Sequence, residues 1–189
     1  MVNGKQWMVN GDWTLFLDRD GVINQRIPGR YVADIEEFVF WDGALEAMRF
    51  FAKKFEKIIV VTNQQGIGKG LMTDAQLAHV HAHMREQIEL AGGRIDAIYY
   101  CPKLAKDNPE CRKPNIGMAL QAQADFPDID FEKSIMVGDS VTDMQFGLKL
   151  NMKTVFIQTK PEDFAAAQVL PINLYCKKIY DIIPCLSFC

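Results

Sequence analysis

Along this chain the apolar residues gather into short unbroken runs, and the stretches between them carry a helical beat. Five runs, WTLFLD (13–18), KIIVVT (57–62), AIYY (97–100), SIMVG (134–138) and KTVFI (153–157), are near-continuous rather than alternating. A strand apolar on both faces belongs in a parallel sheet covered on both sides. Between the runs, GALEAMRFFAKKF (43–55) sets Leu45, Met48, Phe51 and Ala52 on one stripe, which predicts a helix. After Thr73, residues Leu77, Val80, Met84, Ile88 and Ala91 recur at helical spacing. Thr73 with Gln76 fits a capping box, and Gly92-Gly93 supplies the stop. A third helix is expected from Pro114 in its first turn to about Ala124. A fourth is expected from about Thr142 to Leu150, with Asn151 in the left-handed position that ends it. Strand alternating with helix predicts a three-layer, doubly wound α/β fold with a mostly parallel sheet. We expect a single domain over residues 1–189 with its core at about 12–160. The tail after Pro171 is weakly patterned and predicts no more than an extra strand or a short helix.

In sheets of this kind ligands bind beyond the carboxyl ends of the strands. Asp18 ends the first run, Thr62 the second, and Gly138-Asp139 the fourth. The stretch FLDRDGVIN (16–24) drives an apolar strand into two carboxylates, Asp18 and Asp20, although acidic side chains are rarely buried without a partner or a metal. Two carboxylates at i and i+2 past a strand end can face one cavity if a cation lies between them or one holds a proton. Asp139, with Asp143 one helical turn later, brings more carboxylate to the same edge. Hard oxygen donors suit Mg²⁺. A calcium EF-hand is excluded by register, because with Gly21 at the sixth loop position Phe16 and Ile27 fall where acidic ligands belong.

Composition narrows the partners. The net charge of -3 over 189 residues makes no case for nucleic acid or an anionic membrane surface. No window reaches the roughly 18 apolar residues of a membrane span, and the first residues, MVNGKQWMVNGDW, lack the apolar core of a secretion signal. The five cysteines, Cys101, Cys111, Cys176, Cys185 and Cys189, are odd in number and irregularly spaced, so free thiols in a cytoplasmic protein are expected. With no heptad seam or large apolar surface stripe, a monomer is expected.

DRDGVIN (18–24), TNQQGIGKG (62–70), CRKP (111–114) and VGDSVTD (137–143) stand in the order of the four motifs of the haloacid dehalogenase superfamily, which the chain resembles over about residues 12–160. It is most similar to the branch that holds D-glycero-D-manno-heptose 1,7-bisphosphate phosphatases and histidinol-phosphate phosphatases. The resemblance implies a Mg²⁺-dependent phosphomonoester hydrolase acting on a small phosphorylated metabolite, a sugar phosphate such as D-glycero-D-manno-heptose 1,7-bisphosphate. Asp18 would be the nucleophile that forms an aspartyl-phosphate. Asp20, held protonated in the substrate complex, would be the general acid and then the base. Thr62 and Lys113 would grip the transferring phosphoryl group. The metal would be held by Asp18, the backbone carbonyl of Asp20, and Asp139. Asn24, Asn63, Gln64 and Arg112 would contact substrate. Asp143 is open between a partner for Asp139 or Lys113 and a first-turn carboxylate favoured by the helix dipole.

Several departures shape the expectation. Related phosphatases often carry a zinc loop before CRKP, but in CPKLAKDNPECRKP Lys103 and Pro109 stand where two of its ligands belong. Two thiolates cannot close a tetrahedral site, so no zinc is expected. In HVHAH (79–83), His79 and His83 have chelating spacing but no third ligand, and partly exposed helix histidines are expected. GIGKG (66–70) lacks the P-loop spacing and reads as a glycine loop near the site. Trp7, Trp13 and Trp41 read as packing residues. The intervals between motifs leave no room for a large cap domain. QRIPGRYVADIEEF (25–38) is the expected flap, with Gly29, Arg30 and Tyr31 against the leaving group. Histidinol-phosphate phosphatase is the alternative activity, and a non-catalytic binding protein on the same fold is the alternative of another class.

Overall fold

The computed structural model describes residues 7–9 and 11–187. The readings made on the first six residues and on Cys189 fall outside that range. Among the described residues eight strands and five α-helices follow in chain order: β1 (Trp7–Met8), β2 (Thr14–Leu17), α1 (Ala44–Phe51), β3 (Lys57–Asn63), α2 (Asp74–Leu90), β4 (Ala97–Cys101), α3 (Gly117–Asp125), β5 (Ser134–Gly138), α4 (Val141–Lys149), β6 (Lys153–Ile157), α5 (Pro161–Ala167), β7 (Leu174–Cys176) and β8 (Leu186–Ser187). Six of the strands form one parallel sheet in the order β4-β3-β2-β5-β6-β7. The chain winds outward from β2 through β3 to β4, then returns to β5 on the other side of β2. The direction of winding therefore reverses between β2 and β5, and a ligand crevice opens at such a reversal.

The alternation of side chains along β2 explains the layers. Leu15 and Leu17, with Ile58, Val60, Ile135 and Val137, pack against Met48 and Phe51 of α1 and Val80, Met84 and Ile88 of α2. Phe16, Ile59, Val61 and Met136 point the other way onto Met118, Ala119 and Ala122 of α3 and Phe146 of α4. Each of these side chains larger than alanine stabilises the fold by about 1.5–3 kcal/mol on burial. With both faces covered, no alternation reaches the surface, and the runs read as continuous.

The capping box at Thr73 forms as expected, with Gln76 N donating to Thr73 Oγ1 at 3.1 Å and Thr73 N to Gln76 Oε1 at 2.9 Å. Asn151 has φ 56°, in the left-handed region that ends α4. Two helix readings need correction. Helix α1 stops at Phe51 because Arg94 claims the next carbonyls, donating to Ala52 O and, at 2.7 Å each, to Phe55 O and Glu56 O. Pro114 precedes α3 rather than opening it: its bond to Lys113 is cis, and Asn115 Nδ2 closes the preceding turn on Asn108 Oδ1 and Pro109 O at 3.0 Å each. The tail is richer than its pattern suggested. It adds edge strand β7, a 3₁₀ segment over Ile179–Cys185, and β8, which pairs in parallel with β1. Trp7, Trp13 and Trp41 are half-buried against the larger core cluster.

The expectation of free thiols is wrong for one pair. Cys101 and Cys111 are joined in a disulfide, their Cα atoms 5.3 Å apart, whereas Cys176 and Cys185 are free and buried. The redox argument from composition says nothing about distance. Cys101 pairs in register with Asn63, and Asn63 clasps Lys113 through two hydrogen bonds of 3.1 Å, so the chain on either side of the loop is brought together. Among the described residues no helix is long and apolar enough to cross a membrane.

Candidate active site

Leu17 of β2 stands level with Val60 on one side and Val137 on the other, so the chain leaves β2 and β5 at the same height. Asp18 continues this alignment, its amide donating to Val137 O at 2.9 Å. Its side chain is only 7% exposed. Lys113, arriving from the loop before α3, donates from Nζ to Asp18 Oδ1 at 2.9 Å and to Val61 O at 2.6 Å, and lies 2.7 Å from Asp143 Oδ1. Burial pushes the Asp18 carboxyl up to about 6, against the opposing pull of Lys113. Burial works against the ammonium of Lys113 too, but Asp143 and Asp18 outweigh it and raise its pKa. Asp143 goes the other way: its burial is overcome by Lys113 and by its hydrogen bonds, and its carboxyl is held below the usual range.

Both open readings of Asp143 hold at once. Oδ1 meets Lys113, while Oδ2 accepts from Ser140 N at 3.0 Å, Ser140 Oγ at 2.7 Å and Asp139 N at 3.2 Å. The carboxylate thus caps the first turn of α4 and braces the lysine. Gly138 is required beside it, since a Cβ there would lie 2.2 Å from Asp143 Cβ.

Asp139 is fully buried and grasped by Arg26, whose Nε donates to Oδ2 at 2.9 Å and Nη2 to Oδ1 at 2.5 Å. Thr159 Oγ1 adds a bond of 2.6 Å to Oδ2. Arg26 Nη2 also lies 3.7 Å from Asp18 Oδ2, so one guanidinium spans both carboxylates. Gly21, at φ 95°, lets this happen: a Cβ there would sit 2.0 Å from Asp139 Oδ2 and 2.9 Å from Arg26 Nε. Sequence reading missed both Arg26 and Thr159. Nothing in QRIPGR distinguished Arg26 from an exposed flap residue.

Asp20 is arranged differently. Arg19, with no exposed surface, donates from Nη2 to both Asp20 oxygens at 2.9 Å, while Asn24 Nδ2 and Gln64 Nε2 donate to it at 3.0 and 2.8 Å. Against the effect of burial, Arg19, Asn24 and Gln64 pull its carboxyl down to about 2. In this geometry Asp20 is a carboxylate; the protonated form is expected only in the substrate complex. Behind Arg19 stands His81, whose Nε2 is 3.1 Å from Arg19 Nη1. His79 is exposed and His83 half-buried, as expected of them; His81, not singled out in the sequence, is buried, because the α2 face that bears Val80 and Met84 turns it inward as well.

A cavity of about 820 Å³ opens over these groups. Asp18, Asp20, Thr62, Asn63, Arg112 and Lys113 line its floor, and Arg26, Gly29, Arg30 and Tyr31 line its flap side. Tyr31 seats the flap on the glycine loop, for a Cβ on Gly66 would lie 2.8 Å from the tyrosine ring, and Lys69 Nζ stands 5.5 Å over that ring. Asn24 and Gln64, expected as substrate contacts, are fully buried and absent from the cavity wall. Both donate their amide nitrogens to Asp20, and Gln64 also donates to Thr62 Oγ1 at 2.9 Å, while the amide oxygens of Asn24 and Gln64 are buried without a partner. Trp41, Thr159 and Lys160 line the cavity without having been foreseen.

Comparison with known proteins places this geometry. Residues 110–180 match the HAD-hydrolase-like family model. The chain is 40% identical over 153 residues to D-glycero-alpha-D-manno-heptose-1,7-bisphosphate 7-phosphatase of Campylobacter jejuni, covering 79% of this chain and 86% of that protein. It is 36% identical over 184 residues to the corresponding beta-anomer enzyme of Photorhabdus laumondii, covering 93% and 95%. The chain belongs to this phosphatase family of the haloacid dehalogenase superfamily. A D,D-heptose 1.7-bisphosphate phosphatase from B. bronchiseptica, solved with magnesium and phosphate, superposes with a TM-score of 0.84 at 28% identity, over 91% of this chain and 96% of that one. Like that phosphatase, the chain has the Rossmann-like haloacid dehalogenase fold, and no large cap domain stands over the sheet among the described residues.

The family's metal can be tested against the donors present. Oxygen atoms from Asp18, Asp139 and Asp143 lie within 4.8 Å of one another. All are hard carboxylate donors, and a guanidinium already bridges two of them, so the cluster is built to hold positive charge. Asp143 is held by Lys113 and the first turn of α4, whereas Arg26 of the flap stands between Asp18 and Asp139, so a metal on those two carboxylates would take the place of Arg26. The residues fit Mg²⁺. Both Cys101 and Cys111 sulfurs are spent on their bond.

Proposed function

We propose that this phosphatase hydrolyses the 7-phosphate of D-glycero-D-manno-heptose 1,7-bisphosphate through an aspartyl-phosphate on Asp18, with Mg²⁺ held by Asp18, Asp139 and the backbone carbonyl of Asp20. Asp18 carries this reading: a buried carboxylate on the floor of a cavity, fixed on one oxygen by Lys113, with its other oxygen turned toward Arg26. The relatives at about 40% identity support the substrate, and the proposed setting is cytoplasmic carbohydrate metabolism.

In the proposed cycle Asp18 attacks phosphorus while Lys113 and Thr62 hold the phosphoryl oxygens, so the donors are aimed before charge moves onto those oxygens. Bound Mg²⁺ supplies the positive charge that lets an anionic nucleophile approach an anionic phosphate. Asp20 must leave Arg19 and take up a proton before it can protonate the departing alkoxide; afterwards it accepts a proton from the attacking water. Arg112 Nη1 and Trp41 Nε1 are buried donors without a partner, and both residues line the cavity, where sugar or phosphate oxygens would satisfy them. Gly29, Arg30, Tyr31 and Asn63 complete the proposed substrate wall.

Phosphate release from both anomers of the bisphosphate, from the heptose 1-phosphate and from histidinol phosphate, with and without Mg²⁺, tests the proposal. Fastest turnover of one bisphosphate anomer, dependent on Mg²⁺ and lost in Asp18→Asn, is expected. A preference for histidinol phosphate would replace the substrate, and equal turnover by Asp18→Asn would remove the mechanism.

A further inference from the structure

Arg26 forks onto Asp139 through Nε and Nη2 and reaches to 3.7 Å from Asp18 Oδ2. These are the two carboxylates proposed to hold the metal, and a guanidinium and a divalent ion cannot share the gap between them. Three observations give the arginine a route out. It belongs to the flap and not to a strand or helix, it lines the cavity, and its side chain is 36% exposed. Gly29, three residues on, has φ 71° and nothing within 4 Å of where a Cβ would stand, so the flap has a pivot with room around it.

We propose that Arg26 is a resident counter-ion of the metal seat, displaced from Asp139 when the divalent ion binds and then turned into the cavity to hold the substrate phosphate. The inference rests on the metal reading above. Its physical basis is competition. With Arg26 in the gap, Asp18 and Asp139 are not left as adjacent, buried, unpaired charges, which would be costly. The same contact reduces the fraction of molecules ready to accept the metal, and the apparent affinity falls by that fraction. Once displaced, the guanidinium keeps its charge and its planar fork, and the nearest anion able to use them is the phosphate over Asp18.

The test compares wild type with Arg26→Gln and Arg26→Lys. Calorimetric titration with Mg²⁺ in the absence of substrate is expected to give an affinity about tenfold tighter in Arg26→Gln, as for a competitor occupying the gap about nine-tenths of the time. A residue that merely supports the site would move the affinity the other way. In EDTA, Arg26→Gln is expected to melt below wild type, with a larger rise on adding Mg²⁺. At saturating Mg²⁺ its KM for the bisphosphate is expected to rise about tenfold, with Arg26→Lys between the two. Unchanged or weaker Mg²⁺ binding in Arg26→Gln, in a protein whose wild type binds Mg²⁺ and turns over, overturns this inference alone. An unchanged KM overturns the handover to substrate. No Mg²⁺ binding by either protein overturns this inference and the metal reading together.

Discussion

Asp18 and Lys113 are 95 residues apart in sequence and 2.9 Å apart in the fold, and the same ammonium lies 2.7 Å from Asp143. One buried cation thus serves two buried carboxylates, one just beyond the end of β2 and one in the first turn of α4. Removing it leaves both unpaired. Lys113→Met is expected to lower stability by about 3 kcal/mol, the usual cost of breaking a buried pair. It is also expected to lower kcat at least 100-fold through loss of phosphoryl stabilisation. Urea unfolding and steady-state kinetics check the two separately, and wild-type stability in Lys113→Met would show the pair to be idle.

The proposed nucleophile is held at a cost to the fold. Asp18 has a folded pKa of about 6, above its unfolded value near 3.8, so the native state binds the extra proton in that window. Stability from this group is complete below about pH 3.8 and is lost as pH rises through 6. Asp18→Asn, inactive by proposal, is therefore expected to be more stable than wild type at pH 8 in chelator, on the order of 2 kcal/mol. The gap should close toward pH 4. A variant less stable at pH 8 would contradict the assignment.

His81 titrates in the opposite sense. Burial first, and then the charge of Arg19, push its pKa down to about 3 from 6.5, so the neutral ring is the folded form. Its contribution is present above pH 6.5 and is lost as pH falls toward 3. The stability of wild type should fall across that range with a component of up to about 1.4 kcal/mol per pH unit, and His81→Gln should lack that component. His81→Leu, which leaves Arg19 Nη1 without its partner, should lose about 1–3 kcal/mol at neutral pH.

Gly21→Ala meets two obstacles, a φ of 95° and a Cβ 2.0 Å from Asp139 Oδ2. A loss of at least 2 kcal/mol is expected from strain and displaced charge, together with weaker Mg²⁺ binding. Near-normal melting and metal affinity would mean that the turn relaxes freely.

The disulfide is checked by counting. Thiol titration of the denatured protein before and after reduction should rise by two groups, those of Cys101 and Cys111. Cys111→Ser is expected to lower stability by about 2–3 kcal/mol, in keeping with a short closed loop.

Much was visible in the linear pattern because it depends on local rules. The runs at 134–138 and 153–157 became β5 and β6 over the same residues, since a strand buried on both faces must be apolar throughout. The box at Thr73 and Gln76 and the stop at Asn151 were equally legible, because each is a contact or a backbone angle within one turn. Asp18, Asp20, Thr62, Lys113 and Asp139 could be picked out because they end apolar runs or stand in ordered motifs. Arg26, Thr159 and His81 could not, because their partners are 113, 20 and 62 residues away. Nor could the roles of Asn24 and Gln64 be separated from substrate contact: both lie in motifs, but only coordinates show which way they face.

The order of apolar runs and motifs, by itself, determined the sheet-and-helix alternation and the acidic identity of the site, because periodicity and strand ends are properties of neighbouring residues. The tertiary structure alone decided which charge meets which: the fork of Arg26 on Asp139, the single lysine between Asp18 and Asp143, and the closing of Cys101 on Cys111. Electrostatic pairing depends on distance through space and on burial, and neither quantity is written in the spacing of residues along a chain.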